Sequence, residues 1–338
     1  MAPGGTTLYY KPVDERQSMI VKLPQQLIRK TRAYISSTAA YEDLSELVLV
    51  ALENQLALDG SSEEPTPRAV DPGESLGRAA LVALRKPDVG PPVIEAIECG
   101  EPLFSMTNRL FPLKVAARVL ANTTDQATLH DFQHGAAEAA RALGQKLRGE
   151  DARAGRKGAE RRWIALPVGE DEQAALSRFV HHFALTLSSD GVARGPLAYL
   201  GLAALLDGRP RLTELGLEFA LAHSPVLDDD ADAHALLTDD ERQLLIRGIL
   251  ANRGEILEVR EFLRVARHHG GRQHHVDAAL RIAHDSWSEA QAVAQRAAMV
   301  GRLRDLGLAS VEGRGPAARI RLADGIESHL EEREADDA

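Results

Sequence analysis

One short run of alternating residues, followed at once by two helical stripes, constrains this chain more than any other feature. Met19, Val21 and Leu23 alternate with Ser18, Ile20 and Lys22 and stop at Pro24, a period of two that predicts a strand. Pro24 suits a first helical position, and Leu27, Ile28, Thr31, Tyr34 and Ile35 then recur at helical spacing, with Arg29, Lys30 and Arg32 outside them. A second helix is predicted from about Glu42 to Leu58, apolar at Leu47, Val48, Ala51, Leu52 and Leu56. Strand, helix, helix in about 40 residues cannot bury a core alone, because a single short strand leaves an edge and one apolar face unpaired. Such a segment calls for a second chain.

Residues 18–58 resemble the ribbon-helix-helix family (Arc/MetJ type). The resemblance is carried by Met19-Ile20-Val21-Lys22-Leu23-Pro24 and by Ser45-Glu46-Leu47-Val48 in the second helix. In that family two chains pair their strands into an antiparallel ribbon that enters the major groove. The resemblance implies a homodimer, with Ser18, Ile20 and Lys22 facing DNA and Met19, Val21 and Leu23 in the core. Two residues depart from the family pattern. Ile20 stands where a polar residue reads base edges, and Glu42 and Asp43 stand where helix amides hold phosphate. A pure dimer clamp is the other reading of this segment.

Residues 1–17 carry no pattern and are expected to be irregular and flexible. Residues 59–102 read as a linker and irregular segment, with Gly60, Ser61, Ser62, Pro65 and Pro67 as a hinge and Pro87, Pro91 and Pro92 further on. Beyond them aromatics are scarce at 4%, and Ala, Leu and Arg recur, which favours helices with thin aliphatic layers. The expected fold class is mainly α, with a short N-terminal β-ribbon.

Three later stretches share one rhythm: helix, helix, longer helix, then a Gly/Arg-rich turn and a strand. The first spans residues 103–168, with helices at 112–122, 124–133 and 135–147 and a strand at 161–166. The second spans 171–227, with a final helix through Leu197, Leu200, Leu202, Leu205 and Leu206. The third spans 238–326, with helices at 239–252, 255–268, 274–284 and 288–306, a turn at 311–316 and a strand at 319–322. An acidic tail, 327–338, follows.

These units resemble winged helices, a helix-turn-helix variant, on phrases such as Leu212-Thr213-Glu214-Leu215-Gly216 and Gly301-Arg302-Leu303-Arg304-Asp305-Leu306-Gly307-Leu308. The resemblance implies tandem winged-helix domains whose third helix enters the major groove while the hairpin touches the backbone. In the first unit the outward residues are Arg141, Gln145, Lys146 and Arg148, followed by Arg153, Arg156, Lys157, Arg161 and Arg162. The third unit offers Gln295, Arg296, Arg302 and Arg304 on its helix and Arg314, Arg319 and Arg321 near its wing. The second is apolar and suits packing or a protein partner, as the third also could.

Charge argues both ways. The chain carries 40 Lys and Arg against 50 Asp and Glu, a formal charge of −10. Phosphate binding rests on cations. Acid is concentrated in residues 228–241 and 331–337, however, while residues 141–162 are basic, so a local footprint can be positive on an acidic protein.

Other chemistry finds little support in the sequence. Cys99 is the only cysteine, so no intrachain disulfide or thiolate cage can form. The pairs His181-His182, His268-His269 and His274-His275 are poor metal sites, because helix neighbours point about 100° apart and no HExxH accompanies them. GxGxxG after a strand, GxxxxGK[ST] and GxSxG are missing. No catalytic residue, cofactor or metal is expected, nor a leader or membrane span. The sequence predicts a cytoplasmic, nucleoid-associated, non-enzymatic dimer that binds double-stranded DNA as a sequence-specific transcriptional regulator. Plasmid partition, defence against mobile elements, or a docking role in a larger assembly are the alternatives.

Overall fold

A computed structural model of the chain describes residues 6–9, 20–23, 80–87, 90–95, 100–103, 107–169, 172–188, 191–228, 235–284, 286–313 and 318–326. The fold is mainly helical, with small two-stranded antiparallel sheets, and divides into two compact units, Met1–Leu56 and Ala57–Ala338.

In the first unit β1 (Thr6–Tyr9) pairs antiparallel with β2 (Ile20–Leu23), Thr6 opposite Leu23 and Tyr9 opposite Ile20. The predicted strand therefore has a partner within its own chain, in the stretch expected to be irregular. Thr6, Thr7, Leu8 and Tyr9 are mostly residue types that suit a pleated sheet. Ser18, the two helices expected between Pro24 and Leu58, and most of the 59–102 linker lie outside the described residues.

The second unit is built on two buried helices. All of α1 (Phe111–Ala121) is buried, including Lys114 and Arg118. A helix buried on every side belongs in a core, and each of its large apolar side chains contributes about 1.5–3 kcal/mol by leaving water. Its neighbours include α2 (Leu129–Arg153) and α3 (Glu172–Phe183). Next come the strand pair β3 (Thr186–Leu187) and β4 (Ala193–Arg194), the short α4 (Pro196–Tyr199), the hairpin β5 (Ala203–Leu206) and β6 (Arg209–Leu212), and α5 (Glu214–Leu221). Gly216 of α5 lies so close to Leu202 that a Cβ would sit 1.7 Å from its carbonyl oxygen, so only glycine lets the helix seat there.

The remainder comprises α6 (Asp239–Ala251), α7 (Arg253–His268), α8 (Gln273–Ala283), α9 (Glu289–Asp305) and the hairpin β7 (Ala309–Glu312) with β8 (Arg319–Leu322). From Gln295 to Leu303 α9 is buried throughout. A strap of described residues, 100–103 and 107–110, joins this part to α1. Glu255 accepts from the Leu103 amide at 2.7 Å, Arg302 donates to the Thr107 carbonyl at 2.8 Å, and Asp305 accepts from the Leu110 amide at 2.7 Å.

Buried charge is paired across these elements. Lys114 Nζ lies 2.9 Å from Glu241 and donates to the carbonyls of Phe219 and Ala222, where the α5 C-terminus presents unpaired acceptors. Desolvation lowers the Lys114 ammonium to about 8, against the opposing pull of Glu241. Arg118 meets Asp228 at 2.8 Å, Arg302 meets Glu255 at 3.2 Å, and Arg109 meets Asp305 at 3.0 Å.

The structure corrects three local expectations. Residues 129–153 form one helix where two were predicted, because Thr128 and Asp131 make a reciprocal capping box at its start and no proline interrupts it. Residues 161–166 are turns, with no strand. Residues 197–206 are a helical turn followed by a strand, because Asp207 and Gly208, at φ 52° and 73°, reverse the chain into β6.

Candidate nucleic-acid interface

Most of the basic face expected on α2 is spent on internal partners. Asp151, 1% exposed, accepts from the Arg162 amide at 2.6 Å and from Arg162 Nε at 2.8 Å, and it holds Arg156 at 3.1 Å. Glu150 takes the other side of Arg162 at 2.7 Å and lies 3.8 Å from Lys146. Arg141 is shared between Glu138 and Glu172. Arg148 and the buried Arg161 sit over Trp163, 5.4 and 5.8 Å from its ring centre, and Arg153 donates to the Gly149 carbonyl. Gln145, Lys146, Arg153 and Lys157 are exposed. With no strand at 161–166, the expected wing of this unit does not form, and Arg161 and Arg162 are held inward rather than offered to a duplex.

The residues expected on α9 are also internal. Gln295, Arg296 and Arg302 are 7%, 5% and 1% exposed. Arg296 is bound to Asp277 at 2.6 Å and Arg302 to Glu255. Gly301 packs against the strap so closely that a Cβ would lie 2.1 Å from the Asn108 carbonyl oxygen. The strap thus covers part of the helix expected to enter the major groove, and these three side chains cannot reach base edges in this arrangement. Ser18 and Arg314 lie outside the described residues. Ile20 and Lys22 lie in β2, opposite Tyr9 and Thr7. Arg319 is exposed at the start of β8.

A different basic surface is assembled from α7, the turn after it, α8 and β8. On α7 the side chains of Ile256, Val259, Phe262, Leu263 and Ala266 are buried, while Arg253, Arg260, Arg264 and Arg267 are exposed at spacings of seven, four and three that keep them on one face. Asn252 caps the start of the helix through the Glu255 amide. At its end Gly270 and Gly271 take φ of 57° and 69°, and the Gly271 amide returns to the Ala266 carbonyl. The turn places Arg272 opposite Arg319 in an antiparallel bridge.

Histidines gather at the same turn. Ring centres lie 4.9 Å apart for His268 and His269, 6.0 Å for His269 and His275, and 4.1 Å for His274 and His275. His275 is held below the usual imidazole value, first by desolvation and then by His274, Arg272 and His269. The start of α8 has no side-chain cap and no acid in its first turn. Nearby carboxylates are engaged: Glu261 by Arg264 of the row itself, Asp277 by Arg296 and Glu312 by Arg321, while Glu258 lies 3.7 Å from His284. Among the described residues no group of three or more His, Cys, Asp and Glu side chains is arranged to hold a metal ion, and no helix is long and apolar enough to cross a membrane.

Sequence reasoning read the histidine pairs as partly exposed helix or loop residues in preference to metal ligands, and passed over the arginine row of α7. The signal was the spacing of Arg253, Arg260, Arg264 and Arg267 against an apolar stripe. No family model matches the chain, and neither a curated protein nor a solved structure matches it significantly.

Proposed function

We propose that the chain is a non-enzymatic protein that binds double-stranded DNA through phosphate contacts on the α7, α8 and β8 surface. The observation that carries this reading is the exposed arginine row of α7, continued at the turn by Arg272 and Arg319. The order helix α7, bridge at Arg272, helix α8, helix α9, hairpin β7–β8 supports a winged-helix reading of residues 253–322. Because α9 is buried, phosphate contacts dominate over base contacts, so affinity falls steeply with salt and sequence preference is weak. Dimerisation through the N-terminal segment, which would couple two such surfaces and serve a regulator of transcription, belongs to the same proposal.

The buried α9 favours a second reading, a protein-docking module. Leu257 on α7 and Ile282 on α8, 57% and 77% exposed, would then contact a partner.

Fluorescence anisotropy of a random-sequence duplex, titrated with full-length protein across a salt series, separates the two. DNA binding predicts a linear loss of log affinity with log salt. A variant carrying Arg253→Gln, Arg260→Gln, Arg264→Gln and Arg267→Gln should lower the slope by about 0.9 for each phosphate contact removed. Absence of binding at low salt would reject the duplex and leave the docking module.

A further inference from the structure

Arg272 and Arg319 face each other across an antiparallel bridge. Side chains directly opposite in such a pair have Cβ atoms about 4.5–5.5 Å apart, and like charges there repel. The backbone enforces the encounter. The Ile320 amide donates to the Gly271 carbonyl at 2.8 Å, and Gly271 approaches so closely that a Cβ would lie 2.0 Å from the Ile320 carbonyl oxygen. Both arginines are exposed, and among the described residues neither has a carboxylate within ion-pair distance. Two guanidinium groups held together in this way can share the oxygens of one anion, which turns their repulsion into a binding energy.

The surrounding charge adds to this field. His269, His274 and His275 flank Arg272, and Arg267 and His268 lie on the last turn of α7. On α8, Asp277 is occupied by Arg296 of α9, and Arg281 adds positive charge further along. Glu289 opens α9 beyond Asp277. On β8, Glu312 of β7 stands opposite Arg319 in the hairpin register and is bound by Arg321 at 2.7 Å. The carboxylates of the packed elements therefore leave the cluster a net cation, and imidazole is the side chain whose charge changes in the pH range just below neutrality.

We propose that Arg272 and Arg319, with His269, His274 and His275, form a site for a phosphate group that binds more tightly as pH falls below neutrality. With duplex DNA as the source of the phosphate the site rests on the function proposed above; with free phosphate it stands alone.

The test uses full-length protein at constant ionic strength, at pH 7.8 and pH 5.8, with circular dichroism confirming the fold at each pH. Duplex affinity is read by anisotropy, and inorganic phosphate binding by the shift of histidine ring protons in NMR spectra. The wild type should bind duplex at least about fivefold more tightly at pH 5.8. A variant with His269→Gln, His274→Gln and His275→Gln should lose that gain. Arg272→Gln with Arg319→Gln should weaken binding at both values. Duplex binding that ignores pH, or a histidine variant that keeps the gain, overturns the site and leaves the duplex reading intact. Phosphate shifts that vanish in the arginine variant, without duplex binding, uphold the site and reject the duplex. Absence of both rejects both.

Discussion

The arginines of residues 141–162 and those of residues 253–272 meet opposite fates. In the first stretch Asp151, Glu150, Glu138 and Glu172 each lie within ion-pair distance of a cation, and Trp163 carries two more guanidinium groups on its ring. In the second, α7 turns its arginines to solvent and the one carboxylate deep in that helix, Glu255, looks inward to Arg302 and the Leu103 amide. A tally of charge cannot separate these cases, since a buried acid cancels several cations at once when the chain folds back on it. What matters is whether an acid stands where the fold brings the cation. Glu150 and Asp151 sit one helical turn or a loop away from their partners, whereas the arginines of α7 are exposed and the buried carboxylate of their own helix, Glu255, is taken by Arg302.

The sharpest way to break this contrast is to remove the acid that neutralises the first stretch. Asp151→Ala leaves the Arg162 amide and guanidinium without their main acceptor in a site 1% exposed, and breaking such a pair costs about 3–5 kcal/mol. Urea denaturation should register that loss. A change below about 1 kcal/mol would mean that Asp151 is not holding the 156–162 segment in place.

The histidines repeat the contrast. His182 on α3 is buried, and desolvation, with smaller contributions from His181 and Arg178, lowers it to about 3. Its folded value lies below its unfolded one, so its stabilising contribution is complete above pH 6.5 and is lost as pH falls toward 3. Between pH 7 and pH 5 the loss should reach about 2 kcal/mol. The difference in thermal midpoint between wild type and His182→Phe, followed over that interval, checks it. Parallel curves would show that His182 accepts a proton in the folded state. His275 at the α7–α8 turn is also held below the usual imidazole value, so it acts on this slope in the same direction.

A smaller effect tests why the first stretch has the shape it does. Thr128 and Asp131 satisfy each other's amides at the start of α2, and Thr128→Ala should cost about 1 kcal/mol. Measured by urea denaturation, an unchanged midpoint would show that packing on α1, and not the cap, fixes where this long helix begins.

The legible parts of the molecule were those written in local pattern. Apolar periodicity predicted the helices of residues 239–306 to within a few residues of α6, α7, α8 and α9, and Gly313 in the turn between Val311 and Arg319 marked the last hairpin. Two misreadings came from local signals that were present but not used. Asp207-Gly208 is a two-residue hairpin turn, and Thr128 with Asp131 is a capping box. The candidate site was harder, because burial of Arg162, Arg296 and Arg302 depends on partners that are distant in the chain or belong to another element. Arg302 finds Thr107, 195 positions away, and no periodicity within α9 announces that strap. The row on α7 was readable in principle, since an apolar stripe at Ile256, Val259, Leu263 and Ala266 assigns the intervening arginines to the opposite face.

The gentlest perturbation sharpens the comparison furthest. Neutralising Arg253, Arg260, Arg264 and Arg267 together removes charge from a solvated helix face, where single substitutions usually change stability by less than about 0.5 kcal/mol. Arg264 is held by Glu261 in a surface i,i+3 contact of small value, and Arg260 and Arg267 also have partners. The variant should therefore unfold within about 1 kcal/mol of the wild type in urea, while Asp151→Ala alone is far more damaging. A cation face whose removal costs the fold so little is present for reasons other than folding, and its companion loss of duplex affinity would say what they are. If the fourfold variant instead proved as unstable as Asp151→Ala, the α7 arginines would be structural after all, and the two stretches would differ only in how far away their partners lie.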